Sequence, residues 1–206
     1  MSKNEEIEVK LQINNSKDLR YLSHFISELY RPGPPKFFHM SACYYDTENA
    51  FLQKNHIVYR VRKENNTYIA TIKGKNQSSD FLARRLEINR QVGSICPNLK
   101  IFDDIENIRD KINLIYDDQL IPIVKNFFLR QQSTVFFNQS KLEAAIDTGH
   151  IYGLSITEPI QEIELELKYG RKEDVLSLAE ILKTHFDLKP SMQSKFSRGL
   201  KIKNCI

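Results

Sequence analysis

Tryptophan is absent from the 206 residues, cysteine occurs three times, and glycine and proline seven times each. Without tryptophan the chain lacks the largest side chain for stacking on an organic ring. Cys43, Cys96 and Cys205 are odd in number and scattered, with no C-x-x-C pair. That speaks against a disulfide framework and against a cysteine-held zinc. No apolar run approaches the ~18 residues of a membrane span. The opening Met1-Ser2-Lys3-Asn4-Glu5-Glu6 has no apolar stretch for a secretory signal, so a cytoplasmic, membrane-free protein is expected. Charge of one sign is also scarce: the formal net charge is only +4, too mild for general nucleic-acid binding. Hydrophobic content of 41% and charged content of 27% fit one soluble globular unit, read here as a single domain over 1–206.

What the chain does have is charge sorted by position. In Glu6-Ile7-Glu8-Val9-Lys10, side chains alternate across an extended strand, so Glu6, Glu8 and Lys10 share one face and Ile7, Val9 and Leu11 the other. Glu162-Ile163-Glu164-Leu165-Glu166-Leu167-Lys168 repeats the design near the far end. Carboxylates crowded on one face repel unless a proton or a cation relieves them.

Between these stretches the pattern predicts a helix from Ser16, as N-cap, to about Tyr30, a stiff loop at Arg31-Pro32-Gly33-Pro34-Pro35, and a strand over Phe37–Asp46. Ala50-Phe51-Leu52 reads as a short helical turn. His56–Lys63 and Thr67–Lys73 read as a hairpin about Asn65-Asn66, and Phe81–Val92 as a further strand. Helical spacing returns between Pro97 and Gln119. Strands follow over about Ile121–Asn138, with a break, then Lys141–Ile151 and Pro159–Tyr169. A helix over Arg171–Phe186 precedes a basic tail that begins at a Pro190 break.

Strand after strand carries long charged residues on one face and aliphatic residues on the other. Arg60 pairs with Arg62, Thr71 with Lys73, Arg85 with Glu87, and Glu143 with Asp147. Two architectures fit. In one, apolar faces meet in a core and the charges face water. In the other, charged faces line the lumen of a closed barrel and apolar faces lie outward under the helices. The terminal strands are anionic and the central strands mostly cationic; that segregation favours the lumen, because solvated faces mix signs. Closure also removes strand edges. A lumen with carboxylates beside Arg and Lys suits Mg²⁺ or Mn²⁺ together with phosphates.

The motifs fall in a recognisable order. Glu6-x-Glu8-x-Lys10, Tyr44-Tyr45-Asp46-Thr47, Arg60-x-Arg62, Lys73-Gly74, Arg85-x-Glu87, Arg130, Asp147-Thr148-Gly149, Glu162-x-Glu164-x-Glu166 and Ser194-Lys195-x-x-Arg198-Gly199 together resemble the CYTH superfamily, the triphosphate tunnel metalloenzymes, over about residues 5–201. The resemblance is greatest to the bacterial inorganic triphosphatases. It implies an α+β fold: an eight-stranded antiparallel barrel with a charged lumen and helices packed outside. A helical CHAD domain follows in several relatives and is not expected here.

The resemblance also implies the site. Glu6, Glu8, Glu162 and Glu164 would hold Mg²⁺ or Mn²⁺, with Glu166 as an alternative register and Asp147 holding a metal-bound water. Lys10, Arg60, Arg62, Lys73, Arg85, Arg130, Lys195 and Arg198 would grip the phosphates of a small-molecule triphosphate. Lys10 and Glu87 are the catalytic candidates. The activity implied is hydrolysis of the terminal phosphoanhydride of inorganic triphosphate. Nucleoside or thiamine triphosphate hydrolysis, class IV-like adenylate cyclisation, and non-catalytic binding of polyphosphate or RNA are the alternatives; the absence of tryptophan favours a substrate with no organic ring. His39, His56 and His150 lack ligand-spaced partners. Phe127-Phe128, Phe136-Phe137, Tyr44 and Tyr45 read as packing, and Arg171-Lys172 as a solvated helix start.

Overall fold

The computed structural model describes residues 5–29, 33–74, 82–115, 117–153 and 156–203. Tyr30, Arg31, Pro32, Phe81 and Cys205, which figure in the sequence reading, lie outside these. The elements are β1 (Glu5–Ile13), α1 (Asp18–Leu29), β2 (Lys36–Thr47), α2 (Phe51–Lys54), β3 (Val58–Glu64), β4 (Thr67–Lys73), β5 (Leu82–Val92), α3 (Glu106–Ile112), β6 (Leu120–Phe137), β7 (Ser140–Tyr152), β8 (Thr157–Tyr169), α4 (Lys172–His185), β9 (Leu188–Pro190) and α5 (Lys195–Lys203). Short 3₁₀ turns at Leu99–Phe102 and Asp117–Gln119 flank α3.

The strands pair antiparallel in the order β5-β4-β3-β2-β6-β7-β8-β1, and β5 pairs back onto β1 to close an eight-stranded barrel. β1 pairs with β5 over Glu5–Val9; where that pairing stops, β9 takes up the same edge at Leu11–Ile13. Closure leaves the barrel wall no long free edge.

Alternation along each strand sorts the two faces as the lumen architecture predicts. Outward, Ile7, Val9 and Leu11 of β1, Leu165 of β8 and Leu142 of β7 are buried under Leu22 and Ile26 of α1 and Leu178 and Leu182 of α4. On the opposite wall, Tyr59 and Val61 of β3 and Ile72 of β4 pack under Phe102, Ile108 and Ile112. At roughly 25 cal/mol per Å² of apolar surface removed from water, these two outer cores are the main source of fold stability. A third cluster lies inside the barrel: Met40, Ala42 and Tyr44 of β2, Val124 and Phe128 of β6, Ile151 and Ile160, with Phe196 and Leu200 of α5 packed on them. Helix α5 therefore sits across one mouth of the barrel.

Local readings needed correction in four places. Asn15, not Ser16, turns the chain into α1, its side-chain oxygen accepting the Lys17 backbone N–H at 3.0 Å. His56 adopts a left-handed φ of 58°, so β3 begins at Val58. β6 is continuous over Leu120–Phe137, Pro122 included, without the break expected within Ile121–Asn138. The β2 register shifts between Tyr44 and Tyr45, and this bulge places the proline where the ladder is already interrupted. Phe127 and Phe136 are exposed on the outer face, while Phe128 is buried inside.

Asp46 and Gly199 carry structural roles. The buried Asp46 carboxylate accepts the backbone N–H groups of Thr47, Leu52 and Gln53 at 2.8–3.0 Å and so fastens the start of α2. A Cβ at Gly199 would stand 2.2 Å from Val124 Cγ1. Gly199→Ala is therefore expected to lower stability by about 1–3 kcal/mol through overpacking. Urea unfolding checks it, and adding Val124→Ala should restore part of the loss.

Candidate functional site

The lumen holds a cavity of about 480 Å³ lined mostly by charged side chains, with Phe38, Tyr44, Phe128 and Phe196 among the rest. Glu6, Glu8, Lys10, Arg60, Arg62, Lys73, Arg85, Glu87, Arg130, Glu164, Glu166 and Lys195 all reach it. Asp147, Glu162 and Arg198 do not line the cavity but sit beside it, bonded to its wall. The sequence reading missed Glu64, Glu143 and Lys168, which also line it. Their signal was present, since Glu64 follows Arg60 and Arg62 at even spacing and Glu143 shares a face with Asp147.

Near β1 and β5, Arg85 donates to Glu6 at 2.8 Å and to Glu8 at 2.9 Å. Lys73 donates to Glu87 and lies 3.5 Å from Glu6. Burial, opposed by Lys73 and reinforced by Glu8, pushes the Glu6 carboxyl up to about 7. Glu87 goes the other way: burial would raise it, but Lys73, Glu6 as hydrogen-bond donor and Arg60 hold it far below the carboxylate range. Glu6 and Glu87 are thus one coupled unit that carries a proton near neutral pH.

A second acidic group stands at the α5 mouth. Carboxylate oxygens of Asp147, Glu162 and Glu164 lie within 4.8 Å of one another. The Lys195 ammonium is seated among them, at 2.6, 2.5 and 3.0 Å respectively. Arg130 makes a bidentate pair with Asp147, at 2.7 Å for each bond, and reaches Glu164 at 2.5 Å. Lys10 is 3.1 Å from Glu164. Burial works against ionisation of Glu164, but Lys195, Lys10 and Arg130 outweigh it and hold that carboxyl well below its usual range. The same pairing raises Lys10 and Lys195 despite burial. Glu166, the alternative register, stands apart with Lys168 at 2.7 Å.

The cationic wall is less well satisfied. Arg60 donates to Thr71 at 3.3 Å and is 3.9 Å from Glu87. Arg62 pairs with Glu64. The Nε groups of both arginines are buried without a partner among the described residues. Burial and the neighbouring Arg60 pull the Arg62 guanidinium down to about 10. Arg60 also stands 5.8 Å from the Tyr44 ring centroid, so Tyr44 faces the lumen while the Tyr45 hydroxyl donates outward to the Ile95 carbonyl at 2.8 Å. Lys195 and Arg198, assigned to phosphate by motif, are instead committed to carboxylates. Arg198 donates to Glu158 at 2.5 Å, Glu162 at 2.8 Å and the Pro159 carbonyl.

The donor set fits a hard divalent cation. Asp147, Glu162 and Glu164 offer clustered carboxylate oxygens that already accommodate a cation, the Lys195 ammonium, and Glu6 and Glu8 offer more on the adjoining wall.

The CYTH domain family model matches residues 4–200. Among curated proteins, the inorganic triphosphatase of Haemophilus influenzae is 29% identical over 201 residues, covering 95% of this chain and 54% of that protein. The chain thus spans about half the length of this relative. Among solved structures, a candidate adenylyl cyclase from Hippeastrum, described as having a dominant triphosphatase activity, superposes with a TM-score of 0.73 at 18% identity over 95% of both chains. A candidate adenylate cyclase from Bacillus halodurans superposes with a TM-score of 0.58 at 20% identity, over 95% of this chain and 98% of that one. These two establish likeness of fold.

Proposed function

The chain belongs to the CYTH family, and on that premise we propose that it hydrolyses the terminal phosphoanhydride of inorganic triphosphate, with Mg²⁺ or Mn²⁺, to pyrophosphate and orthophosphate. The observation that carries the reading is the pair Arg60 and Arg62, one buried and one half-buried, both lining the cavity, with buried Nε groups that have no partner among the described residues. A buried donor without a partner costs about 1–3 kcal/mol, and an anion in the cavity supplies the acceptor. Carboxylates in the same cavity call for a cation of higher charge. A metal–polyphosphate answers both demands. The H. influenzae relative, named an inorganic triphosphatase, supports the same choice.

The chain's residues divide the work as follows. Arg60 and Arg62 bind phosphoryl oxygens. Lys73 and Arg85 exchange part of their pairing with Glu6, Glu8 and Glu87 for the substrate's charge. Asp147, Glu162, Glu164, Glu6 and Glu8 are the residues that would hold the cation, which when bound neutralises charge on the phosphoryl oxygens and polarises them. Glu87, which lines the cavity beside Lys73 and Arg60, would orient an attacking water rather than keep its proton, because those cations hold its carboxyl far below the usual range. Lys10, 3.1 Å from Glu164, orients that acidic wall. The tunnel domain, taken as one unit over 1–206, suffices for the reaction.

The substrate class is tested by phosphate release from inorganic triphosphate, ATP and thiamine triphosphate at equal concentration. Inorganic triphosphate is expected to give the highest kcat/KM, in line with the similarity to the H. influenzae protein named an inorganic triphosphatase. A preference for either organic substrate overturns the choice, and no release from any of the three supports a binding module instead.

A further inference from the structure

Helix α5 brings two cations to the acidic wall, and they are held differently. Arg198 is tied to Glu158 and the Pro159 carbonyl as well as to Glu162. Lys195 makes its ion pairs only with the carboxylates of Asp147, Glu162 and Glu164, and its ammonium lies 4.9 Å from the Phe128 ring centroid. It therefore sits where, among the described residues, three carboxylates converge.

Around those carboxylates stand Lys10 from β1, Arg130 from β6, and Lys195 and Arg198 from α5. Four carboxylates, those of Asp147, Glu162, Glu164 and the Glu158 that also holds Arg198, already balance these four positive charges. A divalent ion entering beside all four cations adds two positive charges to a balanced group in a buried, weakly screened setting. Lys10 and Arg130 stand on β1 and β6, whose backbones are paired on both sides in the barrel wall. Lys195 is on the first turn of a short helix whose close backbone packing is at Gly199, one turn further on. It is the cation most easily withdrawn.

We propose that Lys195 and the divalent ion compete for the Asp147–Glu162–Glu164 cluster, so that α5 is latched across the tunnel mouth by a tethered ammonium that the metal displaces. The proposal rests on the metal-dependent reading above and adds an order to it: the mouth loosens as metal enters. Displaced from the carboxylates, the Lys195 ammonium is free to meet an incoming anion, which reconciles its present commitment to the wall with the phosphate role its motif implies.

Two readouts independent of turnover test it. Calorimetric titration with Mn²⁺ alone should show Lys195→Met binding the ion about tenfold or more tightly than wild type, since one opposing charge is gone. Lys172→Met, which removes an exposed lysine on α4, should leave the affinity unchanged. In wild-type protein, hydrogen exchange of the α5 amides should quicken as Mn²⁺ is added. Tighter binding confined to Lys195→Met, with faster α5 exchange, supports the latch. Equal affinities, equal tightening by Lys172→Met, or α5 exchange that does not respond to Mn²⁺ overturns it while leaving metal dependence intact. Failure of both wild type and Lys195→Met to bind Mn²⁺ overturns the latch and the metal reading together. Should Lys195→Met not fold, the wild-type exchange experiment decides alone.

Discussion

Glu8→Gln is expected to lower the turnover of inorganic triphosphate by about a hundredfold or more, the scale of losing a major electrostatic group from a preorganised site. Glu8 is buried, lines the cavity and accepts Arg85 at 2.9 Å. Glutamine keeps the shape and one hydrogen-bond acceptor but removes the charge. The variant therefore loses a hard-oxygen donor for the cation and leaves Arg85 balanced by Glu6 alone on this wall. Because the shape is kept, the unfolding midpoint should move little, and this separates a site effect from a folding effect. Turnover within threefold of wild type, in a variant shown to be folded, contradicts the assignment of β1 to the site.

Arg62→Met is expected to move stability and binding in opposite directions. The Arg62 guanidinium is buried beside Arg60, its Nε unpartnered, its charge disfavoured enough to bring it down to about 10. Removing a charge that burial and the neighbouring Arg60 disfavour is expected to leave stability unchanged or raise it slightly. Glu64, left without Arg62, is half-buried and can be solvated. The same substitution removes a charge-assisted contact of about 1.5–3 kcal/mol to phosphate, or about 10–100-fold in triphosphate affinity. Saturating triphosphate with Ca²⁺, used to slow turnover, should stabilise wild type by about 2.7 kcal/mol at a hundred times Kd, or about 5–10 °C for a domain of this size. Arg62→Met should melt at or above wild type without ligand and respond less to triphosphate. A variant that melts lower and responds equally would make Arg62 a structural ion pair.

That opposition between stability and binding is also where the sequence was most informative. The alternation Arg60–Arg62 and Glu6–Glu8–Lys10 is local, and period 2 alone places those groups on one face. Which face was inward depended on β5 closing onto β1, a contact between residues some eighty positions apart that only the segregation of charge sign hinted at. The ends of elements were harder, because His56 and Asn15 act through single backbone angles and side-chain turns that periodicity does not register. A break in β6 was expected, yet the irregularity there is one extra residue, Ile123, facing the Tyr44–Tyr45 step of β2, and periodicity does not register it. The tail was legible as a basic helical turn with Lys195 and Arg198 three apart. Its seat among Asp147, Glu162 and Glu164 was not, since two strands, β7 and β8, and helix α5 must meet before that contact exists. Asp46 illustrates the converse: it stands inside a family motif, and its visible work is to fasten α2.

The most direct test of the tunnel as a metal-dependent triphosphate site is ³¹P NMR of inorganic triphosphate incubated with the protein, once with Mg²⁺ and once with excess chelator. Orthophosphate and pyrophosphate appearing in equal amounts with Mg²⁺, and neither with chelator, is the predicted result; release that continues undiminished in chelator would contradict it.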